Sequence, residues 1–385
     1  MKITIITGFF LPVPAVAGGA TEKIWFRLAR EFAAAGHEVT FLSRAWPGFP
    51  DRETIDGIRM IRLPGFNHTR QLWRNLLLDF LWGLRVARHL PAGDIVVCNT
   101  VSLPAYLRWV RRSAGKVVVV LGRMPKGQVR IYGGVDRLLA TSQAVRHRAI
   151  AEYARLGPRI RVFRNPIDWT LHQASAHGVR APVAPVTIGY VGRLHPEKGL
   201  EILLQAAGEL ARQPGLPPWR LRLIGPQGIA EGGGGEKYVE DLRTLAARAG
   251  ADVSVEAPVY DIAALARIYG TLDVFCYPSL ADKGEGLSIA PIEAMASGAV
   301  PVVSALECYR DLIRDGENGL VFEYRAPDRV RLLAQCLARL VQDQPLRARL
   351  AAQAVADSRR FDYPVVARDL LEDFAAIGSR GLRMP

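Results

Sequence analysis

Two glycine-bounded stretches hold the residues best suited to chemistry. Gly189 to Gly199 reads GYVGRLHPEKG, the pattern of a strand, a turn and a helix start. Lys198 falls at that helix N-terminus, where the dipole disfavours a cation by roughly 0.3 kcal/mol or more and a bound anion would reverse the sign. Arg193, at the strand's C-terminal edge, can reach the same place with a bidentate fork. The two cations suit a pyrophosphate clamp; the alternative is a surface ion pair of Lys198 with Glu197 or Glu201, which is worth little. Gly284 to Gly298 reads GEGLSIAPIEAMASG. Here Gly286 permits close backbone approach, Ser288 is placed to cap a helix, and Pro291 suits its first turn. Free N–H groups at such a helix start form an anion site. Glu285 in the approach loop and Glu293 within the helix would repel phosphate, so sugar hydroxyls are the better partners. Stabilisation of the helix dipole is the alternative for Glu293. Gly18-Gly19 adds a close-approach turn, though a glycine pair alone is unspecific.

Positioning these residues requires a βαβ alternation, and the chain has one. Apolar β-branched runs predict strands at 2–7, 38–43, 58–62, 94–98, 116–121, 136–141 and 160–164. A second series follows at 186–191, 220–225, 252–256, 273–277 and 300–303, with helices at 199–211, 237–249, 261–269 and 289–297. Such alternation implies an α/β fold of two Rossmann-like domains, their parallel sheets facing a central cleft. The expected division is 1–173, completed by a C-terminal helix within 363–385, and 187–362. ASAHGVRAPVAPV (174–186) reads as the linker, and Gly232–Gly235 as a flexible loop.

The chain has 385 residues and a net charge of +13, yet residues 1–180 carry +16 and residues 181–385 carry −3. A basic half of this kind suits phosphate, an acidic glycan or an anionic membrane, or else is a solvated arginine-rich surface. Cys98, Cys276, Cys308 and Cys336 have no paired spacing, which fits reduced thiols in a cytoplasmic protein and no zinc site. The apolar start before Ala15-Val16-Ala17 imitates a secretory signal, but its β-branched residues read as a buried strand. No apolar run reaches the ~18 residues of a membrane span. Residues 69–90 place Leu72, Trp73, Leu76, Leu77, Phe80, Leu81 and Leu84 at helical spacing among Arg70, Arg74, Arg85 and Arg88. That pattern suits an interfacial helix on an anionic membrane surface, or a helix packed on the first sheet.

Glu285 to Glu293 resembles the E-x7-E signature of the retaining GT-B nucleotide-sugar glycosyltransferases of family 4, and GYVGRLHPEKG resembles that family's donor-phosphate motif. GGATEK (18–23), GHEVTFLS (36–43), ATSQAV (140–145), RNPID (164–168) and IRDGENGLVF (313–322) extend the resemblance along the chain. It implies that Arg193 and Lys198 bind the donor diphosphate and stabilise the leaving group. Glu285 then lies by the donor sugar, with Gly286, Leu287, Ser288 and Ile289 offering backbone to sugar and phosphate. Glu293 accepts from the ribose hydroxyls, and Gly18-Gly19 presents backbone to the phosphates. The last helix, 363–377, is expected to cross back onto the first domain. No metal and no other cofactor is expected. The sequence departs from the family at Gly122 and Arg123, where many relatives have a His near the donor sugar. Arg123 is therefore a candidate contact to sugar or acceptor, or a solvated loop residue; His37 and His195 do not substitute.

The expected function is metal-independent transfer of a sugar, from a UDP-sugar first and a GDP-sugar second, to a hydroxyl of a glycan or lipid-linked acceptor. This implies a polysaccharide or cell-envelope role on the cytoplasmic side, peripheral to the membrane. A nucleic-acid or anionic-surface binding protein is the alternative, but no recognition module is evident. A dinucleotide oxidoreductase lacks GxGxxG in its first turn, and a hydrolase would need Glu285 and Glu293 as paired acids.

Overall fold

The structure is a computed structural model that describes all residues except 17–18, 70, 177–184, 283 and 380–385. Two compact units are formed, Met1–Pro166 with the segment from Tyr363, and Ile167–Asp362. The division precedes the expected boundary at 173, because the helix Trp169–Ser175 packs within the second unit. Most of the expected linker lies outside the described residues.

The first unit holds strands β1 (Lys2–Ile6), β2 (Glu38–Arg44), β3 (Arg52–Ile55), β4 (Ile58–Leu63), β5 (Ile95–Cys98), β6 (Lys116–Leu121), β7 (Arg137–Ala140) and β8 (Ile160–Val162). Their order is β3-β4-β2-β1-β5-β6-β7-β8, parallel except for β3. Strand β3, absent from the sequence reading, forms a hairpin through Asp56-Gly57, both with positive φ, which the two-residue turn requires. Residues 2–6 are a central strand paired on both sides.

Side chains alternate across this sheet with the period of two that a pleat imposes. Ile3, Ile5, Ile95, Val97 and Val118 face one core, covered by α1 (Ala20–Ala34); Ile6, Val96, Cys98, Val117 and Val119 face the other. The second core is closed by α2 (Leu72–His89), α3 (Leu103–Val110) and α4 (Gln143–Glu152). Helix α2 buries Asp79, Trp82, Gly83, Val86 and Ala87, a stripe at i, i+3, i+4, i+7 and i+8. Trp82 Nε1 donates to the Thr7 carbonyl at 3.0 Å, and Asp79 accepts from the Ser102 N–H at 2.7 Å. A Cβ at Gly83 would lie 2.2 Å from the Tyr106 hydroxyl, so glycine is what lets α3 approach. The apolar residues picked out in the sequence are a different stripe. Leu72, Trp73, Leu76, Leu77, Phe80 and Leu81 are all exposed.

The second unit begins with α5 (Trp169–Ser175) and has strands β9 (Val186–Val191), β10 (Trp219–Ile224), β11 (Asp252–Glu256), β12 (Val274–Tyr277), β13 (Val300–Ser304) and β14 (Leu320–Phe322). Its helices are α6 (Leu200–Ala211), α7 (Glu236–Arg248), α8 (Ile262–Gly270), α9 (Ala290–Ala296), α10 (Arg329–Gln342) and α11 (Gln344–Ser358). The sheet is wholly parallel in the order β11-β10-β9-β12-β13-β14. Numbered within the unit this is 3-2-1-4-5-6, so the order reverses between β9 and β12.

Helix α12 (Tyr363–Ser379) returns to the first unit as expected, packing Val366, Ala367, Leu370, Phe374 and Ile377 into the core beneath α1. Asp373 fixes its orientation by accepting from Arg137 at 2.9 Å and Arg161 at 3.0 Å. Phe374 is fully buried and meets Phe32 edge-on at 6.0 Å. Phe374→Ala should therefore lower the stability of the first unit by about 3–5 kcal/mol. Urea titration would check this, and an unchanged midpoint would mean α12 is dispensable to that core.

Candidate functional site

The order reversal in the second sheet puts the loop after β9 beside the loop after β12, at the strands' C-terminal edge where open α/β sheets bind ligands. The first loop is fastened to its neighbours by backbone: Gly192 N–H donates to Ile224 at 3.0 Å and Leu194 N–H to Pro226 at 2.9 Å. The glycine run expected to be flexible is fastened too. Gly234 N–H donates to Leu194 at 2.7 Å and Gly235 N–H to Gln227 at 2.9 Å. Glycine there serves close packing, since a Cβ on Gly233 would stand 2.3 Å from the Gln227 carbonyl.

Arg193 is held by this arrangement. Its guanidinium donates to the Gly232 carbonyl at 2.8 Å and to Glu197 at 2.7 Å, and the Tyr190 hydroxyl donates to its carbonyl at 2.8 Å. Glu197 is half-exposed; burial would raise its pKa, but Lys198, Arg193 and His195 together hold it below the usual carboxylate value.

Lys198 is not in the first turn of a long helix. It ends a short 3-10 turn, Pro196–Lys198, and Gly199, with φ +67°, caps α6 after it. A Cβ on Gly199 would fall 2.2 Å from the Pro278 carbonyl, so only glycine allows the two loops to touch. Leu280 N–H donates to Glu197 at 2.8 Å across the same junction. Lys198 thereby turns inward. Its Nζ is 2.7 Å from Glu285 Oε2, with only 7% and 10% of the two side chains exposed. The pairing with Glu197, at 3.7 Å, is secondary. Ser279 donates to the same Glu285 oxygen at 3.1 Å, and the Tyr277 ring lies 5.4 Å beneath the ammonium. Burial alone would depress the Lys198 pKa, but Tyr277 and Glu285 outweigh it and hold the group above the ordinary lysine value.

Ser288 does not cap α9, which starts after Ile289 with no side-chain cap. Tyr277 stacks on Tyr190 at 5.5 Å and on Phe275 at 6.0 Å, forming an aromatic floor that the sequence reading did not find. Gly286 and Leu287 are buried between Glu285 and the helix. Glu293, one turn into α9, is placed among other groups: His172 Nε2 is 3.9 Å from its carboxylate, and the Tyr269 phenol is near enough that, after burial, the carboxylate charge helps raise its pKa.

In the first unit, Gly18 lies outside the described residues. Gly19 caps α1 with φ +100°, and a Cβ there would meet the Glu22 carboxylate at 2.3 Å. Glu22 is buried and its pKa is raised by that burial, against a backbone hydrogen bond that lowers it. Arg123 is exposed after β6, and a Cβ on Gly122 would meet nothing within 4 Å. The backbone there would accept a larger side chain. Among the described residues, no group of three or more His, Cys, Asp or Glu is placed to hold a metal ion.

Two family models match the chain: residues 177–356 match Glycosyl transferases group 1 and residues 18–170 match Glycosyltransferase Family 4. A phosphatidyl-myo-inositol mannosyltransferase of Mycobacterium tuberculosis is 30% identical over 200 residues, covering 51% of this chain and 49% of that protein. A D-inositol 3-phosphate glycosyltransferase of Acidothermus cellulolyticus is 30% identical over 258 residues, or 65% of this chain and 55% of its own length. The matches thus span about half the length of these relatives, although a Mycobacterium leprae phosphatidyl-myo-inositol mannosyltransferase matches end to end at 26%. Among solved structures, sucrose-phosphate synthase from Thermosynechococcus elongatus has a TM-score of 0.76 at 19% identity, covering 99% of this chain and all of that one. HepE of Anabaena, solved with UDP and glucose, has a TM-score of 0.70 at 20% identity, covering 98% of this chain and 100% of its own. The fold is the GT-B fold of those enzymes.

The buried pair makes a testable claim. Removing one partner of such a pair leaves an uncompensated charge and costs about 3–5 kcal/mol. Lys198→Met and Glu285→Gln should each lower the unfolding midpoint clearly, while the double variant loses well under the sum. Additive losses in that cycle would mean that the two charges do not interact.

Proposed function

We propose that this chain, a Glycosyltransferase Family 4 domain joined to a Glycosyl transferases group 1 domain, is a retaining glycosyltransferase. It moves a sugar from a nucleoside-diphosphate sugar, UDP first and GDP second, to a hydroxyl of a glycan or lipid-linked acceptor. The observation that carries this reading is the meeting of Lys198 and Glu285 at the β9/β12 order reversal, with Arg193 in the same loop as Lys198.

In this reading the donor diphosphate takes Lys198 and Arg193 from their carboxylate partners, exchanging Glu285 and Glu197 for phosphate oxygens. The two cations and the start of α9 then stabilise negative charge that grows as the sugar C1–phosphate bond breaks, without a metal ion. Glu285, released from Lys198, accepts from hydroxyls of the donor sugar. Glu293 accepts from the ribose. Gly286, Leu287, Ser288 and Ile289 present backbone to sugar and phosphate. The departing phosphate oxygen takes the acceptor hydroxyl proton as the new C1–O bond forms on the same face, which retains the anomeric configuration. Arg123, exposed after β6, is assigned a contact to the donor sugar or the acceptor.

Incubation with UDP- and GDP-sugars should show turnover, with the product anomer matching the donor by NMR. Arg193→Ala, which removes a half-exposed side chain, should reduce kcat/KM at least tenfold at an unchanged unfolding temperature. Failure to bind or turn over any such donor would refute the assignment.

A membrane-facing acceptor side is favoured by α2. Leu72 is 74% exposed and Trp73 63%, with Leu76, Leu77, Phe80 and Leu81 completing one apolar stripe. A patch of this extent is unusual on a free surface. Arg74 lies over the Trp73 ring at 5.3 Å, and Arg85 and Arg88 follow along the helix. Apolar area edged by arginine suits the interface of an anionic bilayer. No helix among the described residues is long and apolar enough to cross a membrane, so the attachment would be peripheral, on the cytoplasmic face. The protein should co-sediment with phosphatidylglycerol vesicles at low salt and less at high salt. Trp73→Glu with Leu77→Glu should abolish this; no sedimentation of the unmodified chain at low salt would remove the membrane reading.

A further inference from the structure

We propose that the first unit carries a further binding site, for an acidic saccharide, at the edge of its sheet opposite the strands' carboxyl ends. The site shares no residue with the transfer reaction described above and does not depend on it. Asp94 precedes β5, Lys116 opens β6 and Asp136 precedes β7, and because these strands are parallel neighbours the three starts lie side by side. The end of α3 walls the same cleft. Its volume is about 760 Å³, within the roughly 300–1,000 Å³ of ligand sites.

The charges lining the cleft are unbalanced. Arg108, Arg111, Arg112 and Lys116 stand against Asp94 and Asp136. Both carboxylates are already engaged in fastening strand starts: Asp94 accepts from the Lys2 N–H at 2.8 Å, and Asp136 from the Val117 N–H at 2.9 Å with Lys116 3.5 Å away. Arg108 fixes the wall by donating to the Gly134 carbonyl at 2.7 Å. Arg111 donates to the Leu90 carbonyl at 2.8 Å, yet its Nε is buried with no hydrogen-bond partner. Arg112 is exposed and, among the described residues, has no hydrogen-bond or ion-pair partner. The cleft therefore keeps guanidinium donors for an anion, and a carboxylate matches their fork.

Trp109, in the last turn of α3, lines the same cleft and is 78% exposed. An indole of this kind offers a large, flat apolar surface to the C–H face of a sugar ring and an N–H to its hydroxyls. Glycines keep the space open. A Cβ on Gly115 would stand 2.3 Å from the Asp94 carbonyl, whereas one on Gly378, at the end of α12, would meet nothing within 4 Å. Two features favour a sugar acid over a nucleotide. The helix end here is a C-terminus, whose carbonyls oppose concentrated negative charge, the reverse of a diphosphate site. The cations are also spread over the end of α3, the turn Arg112–Ala114 and the start of β6, which suits single carboxylates on successive rings.

Calorimetric titration of the full chain with trigalacturonate and with uncharged maltotriose tests this. Trigalacturonate should bind, more tightly at low than at high salt, and maltotriose should not. Arg112→Ala should weaken binding about tenfold and Trp109→Ala about fivefold, each at an unchanged unfolding temperature because both side chains are exposed. Gly378→Glu, which places a carboxylate where a side chain has room, should abolish it. No binding of trigalacturonate, equal binding of maltotriose, or binding that survives in both Arg112→Ala and Trp109→Ala overturns the inference. Displacement of trigalacturonate by UDP would make the cleft a nucleotide site and also overturns it. So does a loss of vesicle co-sedimentation in these variants when the unmodified chain binds no trigalacturonate, which would assign the cleft to the membrane.

Discussion

The second unit is organised around a buried ion pair between residues 87 positions apart in sequence. A parallel sheet whose strand order reverses between β9 and β12 sends its helices to opposite faces, leaving a crevice at that point. Lys198 and Glu285 close the crevice from its two walls. A pair this buried is weak evidence of stabilisation, because desolvating both charges offsets most of their attraction. Its better-supported property is poise. The ammonium is held charged and the carboxylate is held against it, so the cation is already desolvated and aimed for the dianion of the proposed function. The glycine at 199 and the aromatic floor of Tyr277 and Tyr190 exist in service of that geometry. One permits the loops to touch, and the other fills the space below the ammonium with surface that cannot hydrate it.

The basic excess of the first half acquires a different meaning once its arginines are located. Arg62 is fully buried, donating to the Val13 and Pro50 carbonyls and lying 4.8 Å over the Phe49 ring. Arg44 ties Phe10 to Phe66, Arg159 holds Gly133 and Val135, and Arg137 with Arg161 fixes α12 through Asp373. Guanidinium groups here fasten loops by capping carbonyls that no strand can satisfy. Net charge counted from sequence overstates what is offered to a ligand, because it cannot separate a fastener from a free cation. What remains available outward, Arg123 with Arg74 and Arg88 of α2 among it, is a smaller and more localised field.

The sheet strands and their parallel sense were legible because a doubly covered sheet demands continuous β-branched runs, and those runs are long in β1, β6 and β9. Strand β3 escaped notice because Arg52 to Ile55 alternates only weakly, although Asp56-Gly57 was a usable hairpin signal. Arg193, Lys198, Glu285 and Glu293 could be picked out, since glycines and a strand end mark them. Their mutual placement could not. Sequence suggested local partners for Lys198, whereas its principal partner arrives from a different strand. Tyr269 and His172 carry no local mark at all, because each meets its neighbours through a helix-to-helix contact. Ser288 shows the converse error: a residue with good capping chemistry makes no cap, because α9 starts only after Ile289.

The same distinction between local pattern and tertiary demand decides how α2 should be understood. An amphipathic helix needs one apolar stripe to join a core, and in α2 the stripe of Trp82, Val86 and Ala87 meets that need, with Asp79 and Gly83 suiting no other neighbour. The second stripe, from Leu72 to Leu81, is surplus to folding and costs free energy in water, since each exposed leucine forgoes about 1.5–3 kcal/mol of burial. Surplus apolar area on a helix already anchored by its other side is understandable if a second apolar phase receives it. In the function proposed above, the bilayer that α2 would meet is that phase.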